Sequence, residues 1–537
     1  MAFQKINVGA APNDGTGDKN RDAFIKVNAN FADAQAQINS TQLLTIVMDP
    51  PTKIAAGGNP TAGLTGAFPT LHMQLGLVDG SAGAGAPTSP DILAIAEMAR
   101  LERSLAAAGI PDEPSLILDF VRGVHFASKG AITASIATLI ASLPGSSFTR
   151  GSTATYFDSD GLMKTAATGV PRVEYDPVTR SPKGLLLEPA GTNQALRSSN
   201  FSTTWTLVGG NVTAGVATAP DGTVSMTSLI EDTGNTQHSL RQSSLAVTSG
   251  TTYTFSIFAS ERANANKRYL ILLLQSGQFG ADSYITADLA TGTFTTTGVP
   301  VAAGMIPVGG GIYRIWVAAT ATGTGSTQAA YFISNSSSGS VGSYAGDGTS
   351  GFNIWGAQFE AGGSPSSYIP TVASAVARAA DNYALAVPAG LLSLTAGTFL
   401  TEFDVPLAPP SNQAPARLQG SDQANSAQFS RNVSGSGSIL ANANGSNVIA
   451  TTGGMAWPAS GPVRAAAKYN AGNLISRSWL GAAATTTPSS TFTSFGSLTQ
   501  VVPAGILVPC YLRRFLYWPV ALGDSKLQAA ANLSAWS

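Results

Sequence analysis

Few residues in this chain could carry covalent chemistry. Histidine occurs three times, as His72, His125 and His238 in three different segments, and cysteine once, as Cys510. No Gly-x-Ser-x-Gly elbow, His-Glu-x-x-His zinc motif or Walker-type loop is present. Glycoside hydrolysis needs no histidine, only two carboxylates flanking the scissile bond, and Glu188, Glu231, Asp232 and Glu360 are the acids to consider. Each has a plainer placement: Glu231-Asp232 in a solvated turn, Glu360 as a strand-end charge, Glu188 in a loop before Pro189. The expectation is a protein that is not an enzyme, with no catalytic set, no metal site and no cofactor. The acidic turns Asp158-Ser159-Asp160 and Asp347-Gly348 offer oxygen atoms to calcium but fall short of a full ligand set, and turn geometry is the alternative.

Binding chemistry is better supplied. Sugars are held by aromatic rings stacked on pyranose faces, with polar side chains reading the hydroxyls. Trp205, Tyr284, Trp316, Tyr344 and Trp355 are the candidate rings. Most should fill a core, because an alternating strand must bury something large on its inner face. One or two are expected as exposed platforms. A tryptophan facing water beside Asn or Asp favours binding, whereas burial of all of them favours a spacer.

The elements that must position these rings follow from composition. A chain of 537 residues suggests three or four domains. Only 11% of residues are charged, and Gly, Ser, Thr and Ala abound, which suits turn-rich β-sheet. A net charge of −1 supplies no basic field for nucleic acid. The single cysteine excludes an intramolecular disulfide framework. No run of about 18 apolar residues occurs, so no membrane span is expected, and the start, Met-Ala-Phe-Gln-Lys, lacks the apolar core of a secretory signal.

Along the chain, a loop Asn13-Asp14-Gly15-Thr16-Gly17-Asp18 leads into an amphipathic stretch, Arg21 to Ile38. Asp18 suits a helix N-terminus. Phe24, Val27, Phe31, Ala34 and Ile38 form a coiled-coil seam too short to hold an oligomer alone. Residues 41–90 read as extended or loop chain. A second helix starts at Pro90-Asp91 and stops at Gly109 and Pro111, its seam Ala94, Met98, Leu101, Leu105 and Ala108 facing either a partner copy or β-sheet. Residues 112–195 turn to strand signals, including Leu116-Ile117-Leu118, with Ala131 to Leu143 a short helix or strand and a hairpin turn at Asp158-Ser159-Asp160-Gly161. Residues 196–372 read as a β-sandwich; in Thr252 to Phe258, Tyr253, Phe255 and Ile257 share a core face, with Thr252, Thr254 and Ser256 opposite in water. Residues 383–537 read as a second β-sandwich, Phe399, Thr401, Phe403 and Val405 sharing one face, with a short closing helix from Leu522.

Two stretches carry a resemblance. Asn7-x-Gly9…Pro12 to Asp18-x-x-Arg21-x-Ala23-Phe24-x-Lys26-x-Asn28-x-Asn30-Phe31 resembles the N-terminal motif of tailed-bacteriophage tail and fibre proteins. Phe148-Thr-Arg150-Gly151 through Gly161, Pro171-Arg172 through Pro177, and Gly184 to Asn193 resemble a segment of phage tail and minor structural proteins that precedes a carbohydrate-binding-like module. The 196–372 pattern is similar to a jelly-roll carbohydrate-binding module, and the chain's ending to a concanavalin-A-like sandwich. The resemblance implies a mainly β protein: a short N-terminal helical or coiled-coil anchor, then two β-sandwich (jelly-roll and lectin-like) domains. The divisions are 1–40, attachment; 41–111, linker and second helix of an oligomeric stalk; 112–195, connecting region; 196–372 and 383–537, the sandwiches. It further implies a virion appendage, assembled in the host cytoplasm and favoured as a trimer. Asn13, Asp14, Thr16, Asp18, Arg21, Phe24, Lys26, Asn28, Asn30 and Phe31 would dock on tail or portal-proximal proteins, and the far end would bind a bacterial surface glycan. A purely structural collar, baseplate or head fibre and an envelope-glycan depolymerase are the alternatives.

Overall fold

The computed structural model describes residues 44–48, 73–77, 89–110, 113–127, 132–201, 203–339, 341–455, 458, 461–470, 473–479, 485–486 and 492–532. The ten docking residues from Asn13 to Phe31, with their loop and helix, lie outside this set. The chain divides into two units, residues 1–97 and 98–537. In the first, strands Leu44–Met48 and Met73–Leu77 pair antiparallel with Leu44 opposite Leu77.

Helix Ser89–Ala107 begins with a proline in its first turn, where the missing N–H costs nothing. It ends ahead of Gly109, whose φ of +74° reverses the backbone. Ala94, Met98, Leu101 and Leu105 are buried within the single chain. Ala108, the last residue of that seam, lies just past the helix end and is half-buried.

The second unit is mainly β, and its strands are not arranged in the order of the chain. Among the described residues, a seven-stranded sheet runs Ser446–Met455, Gly437–Ala443, Ser426–Arg431, Ala414–Gln419, Gln500–Ala504, Asn382–Ala386, Ser147–Thr149. Facing it, a nine-stranded sheet runs Thr485–Thr486, Asn473–Trp479, Val463–Asn470, Ala396–Asp404, Cys510–Trp518, Leu116–Asp119, Val124–Ala127. Its last two strands, Pro182–Leu187 and Val173–Tyr175, extend from the other half of Cys510–Trp518. Residues 112–195 are therefore no connecting region. Leu116, Ile117 and Leu118 are apolar on both faces, so they require a central strand, and Ile117 pairs with Leu516 some 400 residues later in the chain. One core holds both sheets: Leu116, Leu118, Leu185, Leu187, Phe399, Phe403 and Phe515 meet Leu385, Leu418, Phe429, Ile439 and Val501. A closing helix, Asp524–Asn532, packs on Val463–Asn470.

A second pair of sheets is inserted into this outer unit. One runs Thr206–Val208, His238–Val247, Gly325–Ser334, Tyr269–Leu274, Ser283–Asp288, Thr293–Thr297; the other runs Gly210–Thr218, Val224–Glu231, Gly351–Ala361, Thr252–Glu261, Ile312–Thr320, Ala302–Gly309. Phe255, Ile257, Ile315, Val317, Phe352 and Phe359 from the latter pack against Leu240, Leu270, Leu272, Ile285 and Tyr331 from the former. The entry and exit of the insert are side by side: Gly191–Asn193 pairs antiparallel with Val376–Arg378, Asn193 opposite Val376.

The insert's second sheet is covered on its outer face as well. Thr254 and Ser256, expected in water, are fully buried. The Thr254 hydroxyl donates to the Gly362 carbonyl at 2.8 Å. Phe258, Trp355 and Tyr368 form a further apolar cluster there with Met163, from the hairpin Ala154–Phe157/Met163–Ala166.

Candidate functional site

The five candidate rings do not converge. Trp205 and Trp355 are core residues, 6% and 5% exposed, and are withdrawn as platforms. Trp205 stacks on Tyr331 with centroids 5.5 Å apart, and its Nε1 donates to the Leu196 carbonyl at 2.9 Å. Trp355 lies against Tyr368 and Phe258 at 4.7 and 5.6 Å. Tyr344 is half-buried and fully engaged: its hydroxyl reaches Glu231 Oε2 at 2.5 Å, and its ring lies 5.4 Å from the Arg268 guanidinium. Tyr284 is half-buried with Gly339 packed on it; a Cβ on that glycine would come within 2.7 Å of the ring. Trp316 is half-buried on the outer face of the insert's second sheet, its indole crossing Gly304, where a Cβ would meet Nε1 at 2.7 Å.

Glu188, Glu231 and Glu360 are buried, whereas Asp232 keeps an exposed side chain in its turn, accepting from the Gly234 amide at 2.9 Å. Glu231 is forked by Arg268, with Nε and Nη2 at 2.7 and 2.5 Å from its two oxygens. Glu360 accepts from the Ser366 amide and hydroxyl at 2.8 and 2.5 Å. A β-rich chain with so few charges keeps those it has where their partners repay desolvation. Asp158 and Asp347 do act as turn acceptors: Asp158 Oδ1 takes the amides of Asp160 and Leu162 at 3.0 Å, and Asp347 Oδ1 those of Thr349 and Ser350 at 2.8 and 2.7 Å.

Where insert and outer unit join, five charged residues from four segments meet in the interior. Arg172 Nη2 reaches Asp381 Oδ2 at 2.5 Å and Glu188 Oε2 at 2.9 Å. Arg150 Nη1 holds Asp381 Oδ1 at 3.0 Å, and Arg378 Nη1 holds Glu188 Oε2 at 2.8 Å. Ser367 closes the set, its amide and hydroxyl donating to the two Glu188 oxygens at 2.7 and 2.6 Å. Burial by itself would raise the Glu188 pKa; Arg378, Arg172 and Ser367 override it and hold the carboxyl down at about 2. With both oxygens occupied, Glu188 is unsuited to act as a nucleophile or acid.

Above this network lies a cleft of about 120 Å³ between the two sheet pairs. The outer unit contributes Tyr156, Glu174, Lys183 and Tyr511; the insert contributes Arg314 and Tyr368. Glu174 accepts from the Phe157 amide at 3.2 Å. Burial pushes its carboxyl up to about 7, against the opposing pull of Lys183 and Arg172. Lys183 donates to the Tyr511 hydroxyl at 2.7 Å. Burial acts to lower its pKa, but Tyr511 and Glu174 outweigh that and raise it. Arg314 is 8% exposed. Its Nη1 donates to the Ser366 carbonyl at 2.6 Å and its Nη2 to the Ser256 hydroxyl at 3.3 Å, while Nε has no partner. None of these residues was singled out as a site from the sequence. The available signal was weak: isolated charges beside Gly or Pro in an otherwise uncharged chain.

No family model matches the chain, and no curated protein matches it. Among solved structures, it is similar to a variant of the GH43 protein BlXynB from Bacillus licheniformis at 10% identity, over 58% of this chain and 75% of that one. It is likewise similar to the xylan beta-1,4-xylosidase from Bacillus Halodurans C-125 at 11% identity, over 66% and 78%. Both TM-scores are 0.18, too low to support a statement about fold or activity.

Proposed function

We propose that this chain is part of a tailed-phage virion appendage, docked by its N-terminal segment and binding a bacterial surface glycan without turnover. One observation carries the reading. Arg150, Arg172 and Glu188, all within the stretch that resembles phage tail and minor structural proteins, meet Arg378 and Asp381 in the buried network that fixes the insert. A motif whose charges weld a β module into its carrier is a reason for that stretch to recur ahead of such modules.

The insert is read as a jelly roll. Of its eight main strands, Val224–Glu231, Gly351–Ala361, Thr252–Glu261 and Ile312–Thr320 are neighbours in one sheet and His238–Val247, Gly325–Ser334, Tyr269–Leu274 and Ser283–Asp288 in the other, an order that supports this reading. The outer unit is read as the lectin-like sandwich. Trp316 and Tyr284, both half-buried, are the remaining candidates for a stacking platform, and Trp316 offers the larger ring. Truncation as Trp316→Ala is expected to weaken glycan binding by the full chain roughly tenfold, about 1.4 kcal/mol, with the melting temperature little changed. Screening the purified full chain on host and non-host envelope glycans checks this.

Burial of Trp205 and Trp355 favours the second reading, a structural spacer. Flat binding to host glycans, with the protein found by immunogold labelling in the particle, would establish that reading. Release of oligosaccharides from host envelope would instead make it a depolymerase. Particles that retain the protein after deletion of residues 1–40 would refute docking by that segment.

A further inference from the structure

We infer that the cleft between the insert and the outer unit is a binding site for a carboxylate group, held by Arg314 with Lys183. The argument begins with Arg314. A guanidinium stays protonated even when buried, and a buried cation is normally paired with an anion. Arg314 has no carboxylate within 4 Å among the described residues, and its nearest acids act on it only at longer range. One neutral carbonyl and one hydroxyl satisfy two of its nitrogens, and Nε is left buried without an acceptor. Its other neighbour is the Phe258 ring, 5.1 Å from the guanidinium carbon. The Nε is closed to the cleft, but an anion in the cleft that Arg314 lines would supply the missing counter-charge.

The cleft is lined by two cations, Arg314 and Lys183, and two acids, Glu174 and Glu188; Glu188 is taken up by Arg172, Arg378 and Ser367, which leaves Glu174 as the acid facing the two cations. Lys183 adds a second cation on the opposite wall, hydrogen-bonded to the Tyr511 hydroxyl and lying over its ring, with Glu174 and Asp404 acting on it at longer range. A volume of about 120 Å³ corresponds to roughly four water molecules, enough for a carboxylate and the atoms next to it. Tyr156, Tyr368 and Tyr511 offer ring surface to the body of such a ligand. A sugar acid and a small free carboxylate share this chemistry. The site requires neither the virion nor the adhesin reading, so its test uses small molecules rather than envelope.

Glu174 makes the site sensitive to pH. It acts on Lys183, Arg172, Arg314 and Glu188, with Tyr156 and Tyr511 on the same walls, and Asp404 also acts on Lys183. Below about 7 its carboxyl is neutral and does not oppose an incoming anion; above that it does.

The test is calorimetric titration of the full chain with glucuronate, glucose and acetate at pH 6 and pH 8. Glucuronate is expected to bind, glucose at least tenfold more weakly, and affinity to fall several-fold from pH 6 to pH 8. Arg314→Gln and Lys183→Gln should each weaken glucuronate at least tenfold. Lys183 is half-buried, so its variant remains decisive if Arg314→Gln fails to fold. Acetate binding as tightly as glucuronate would support the carboxylate site and assign it to small free acids. Equal binding of glucose and glucuronate, or unchanged affinity in a folded Lys183→Gln, would overturn the proposal.

Discussion

Glu188 lies between two guanidiniums and a serine, and its burial is tolerable only because all three are present. Removing its charge as Glu188→Gln leaves Arg172 and Arg378 undercompensated, and should cost about 3 kcal/mol in urea unfolding at pH 7. The sign with pH follows from the depressed carboxyl. Its contribution is present above the ordinary glutamate range and is lost as pH falls toward about 2, so the variant should lose less stability on acidification than the parent. His125 acts in the same direction in a different window. It is buried beside Phe120 with Nδ1 unpartnered, and burial pulls its pKa down to about 3. Between about 6.5 and 3 the unfolded chain takes up a proton that the folded ring refuses, so stability falls with pH by up to ~1.4 kcal/mol per unit from this group. His125→Leu should flatten that part of the stability-pH curve; an unchanged slope would contradict the assignment. Single residues were legible where chemistry is local. Asp158 and Asp347 serve turns, as their neighbours in sequence imply, whereas the partners of Glu188 come from positions up to 193 residues away and leave no local trace.

At the scale of the element, alternation identified the strands but not what covers them. Phe255 and Ile257 face the insert's core, as their spacing requires, yet the opposite face is dry because the segment after Ala361 lies on it. Likewise Phe399 and Phe403 are core residues, while Glu402 on the other face is buried among Arg464, Arg513 and Arg514. Period-two patterning reports one buried face reliably; a second face covered by polar residues looks the same as a wet one. The join of Pro182–Leu187 to Cys510–Trp518 depends on a glycine. Gly184 has φ +124°, and a Cβ would sit 2.5 Å from the Leu512 carbonyl oxygen. Gly184→Ala should therefore destabilise by at least ~2 kcal/mol through backbone strain and displacement of that strand. Gly250, with φ +82° and open space around it, is the control: Gly250→Ala should cost only ~1 kcal/mol. Equal effects in thermal unfolding would show that the close approach at Leu512 is unimportant.

For the whole molecule, the consequence of an interleaved chain is that domains cannot be cut at composition boundaries. The sequence signals for two sandwiches were sound as to which segments are β-rich, but the partners of Leu116–Asp119 and Pro182–Leu187 lie at the far end of the chain. Long-range pairing of this kind is set by tertiary complementarity, which no local pattern encodes. A fragment starting at residue 383 lacks Leu116, Leu118, Leu185 and Leu187 from its core and exposes a long edge on Cys510–Trp518, so it should be insoluble or unfolded. Deleting the insert instead removes a unit whose two ends already touch. Asn193 and Val376 are cross-strand neighbours, within about 5.5 Å at Cα. Replacing residues 194–375 by a two- to four-residue Gly/Ser turn should leave an outer unit that melts cooperatively with its β circular-dichroism signature. It should be less stable than the parent, because Arg172 and Arg378 lose Ser367 and the Phe258 cluster is gone. A deletion variant that fails to fold, beside a soluble and folded 383–537 fragment, would mean that the two units are successive after all. The opposite pair of results is what strands Leu116–Asp119 and Pro182–Leu187, laid on Cys510–Trp518, require.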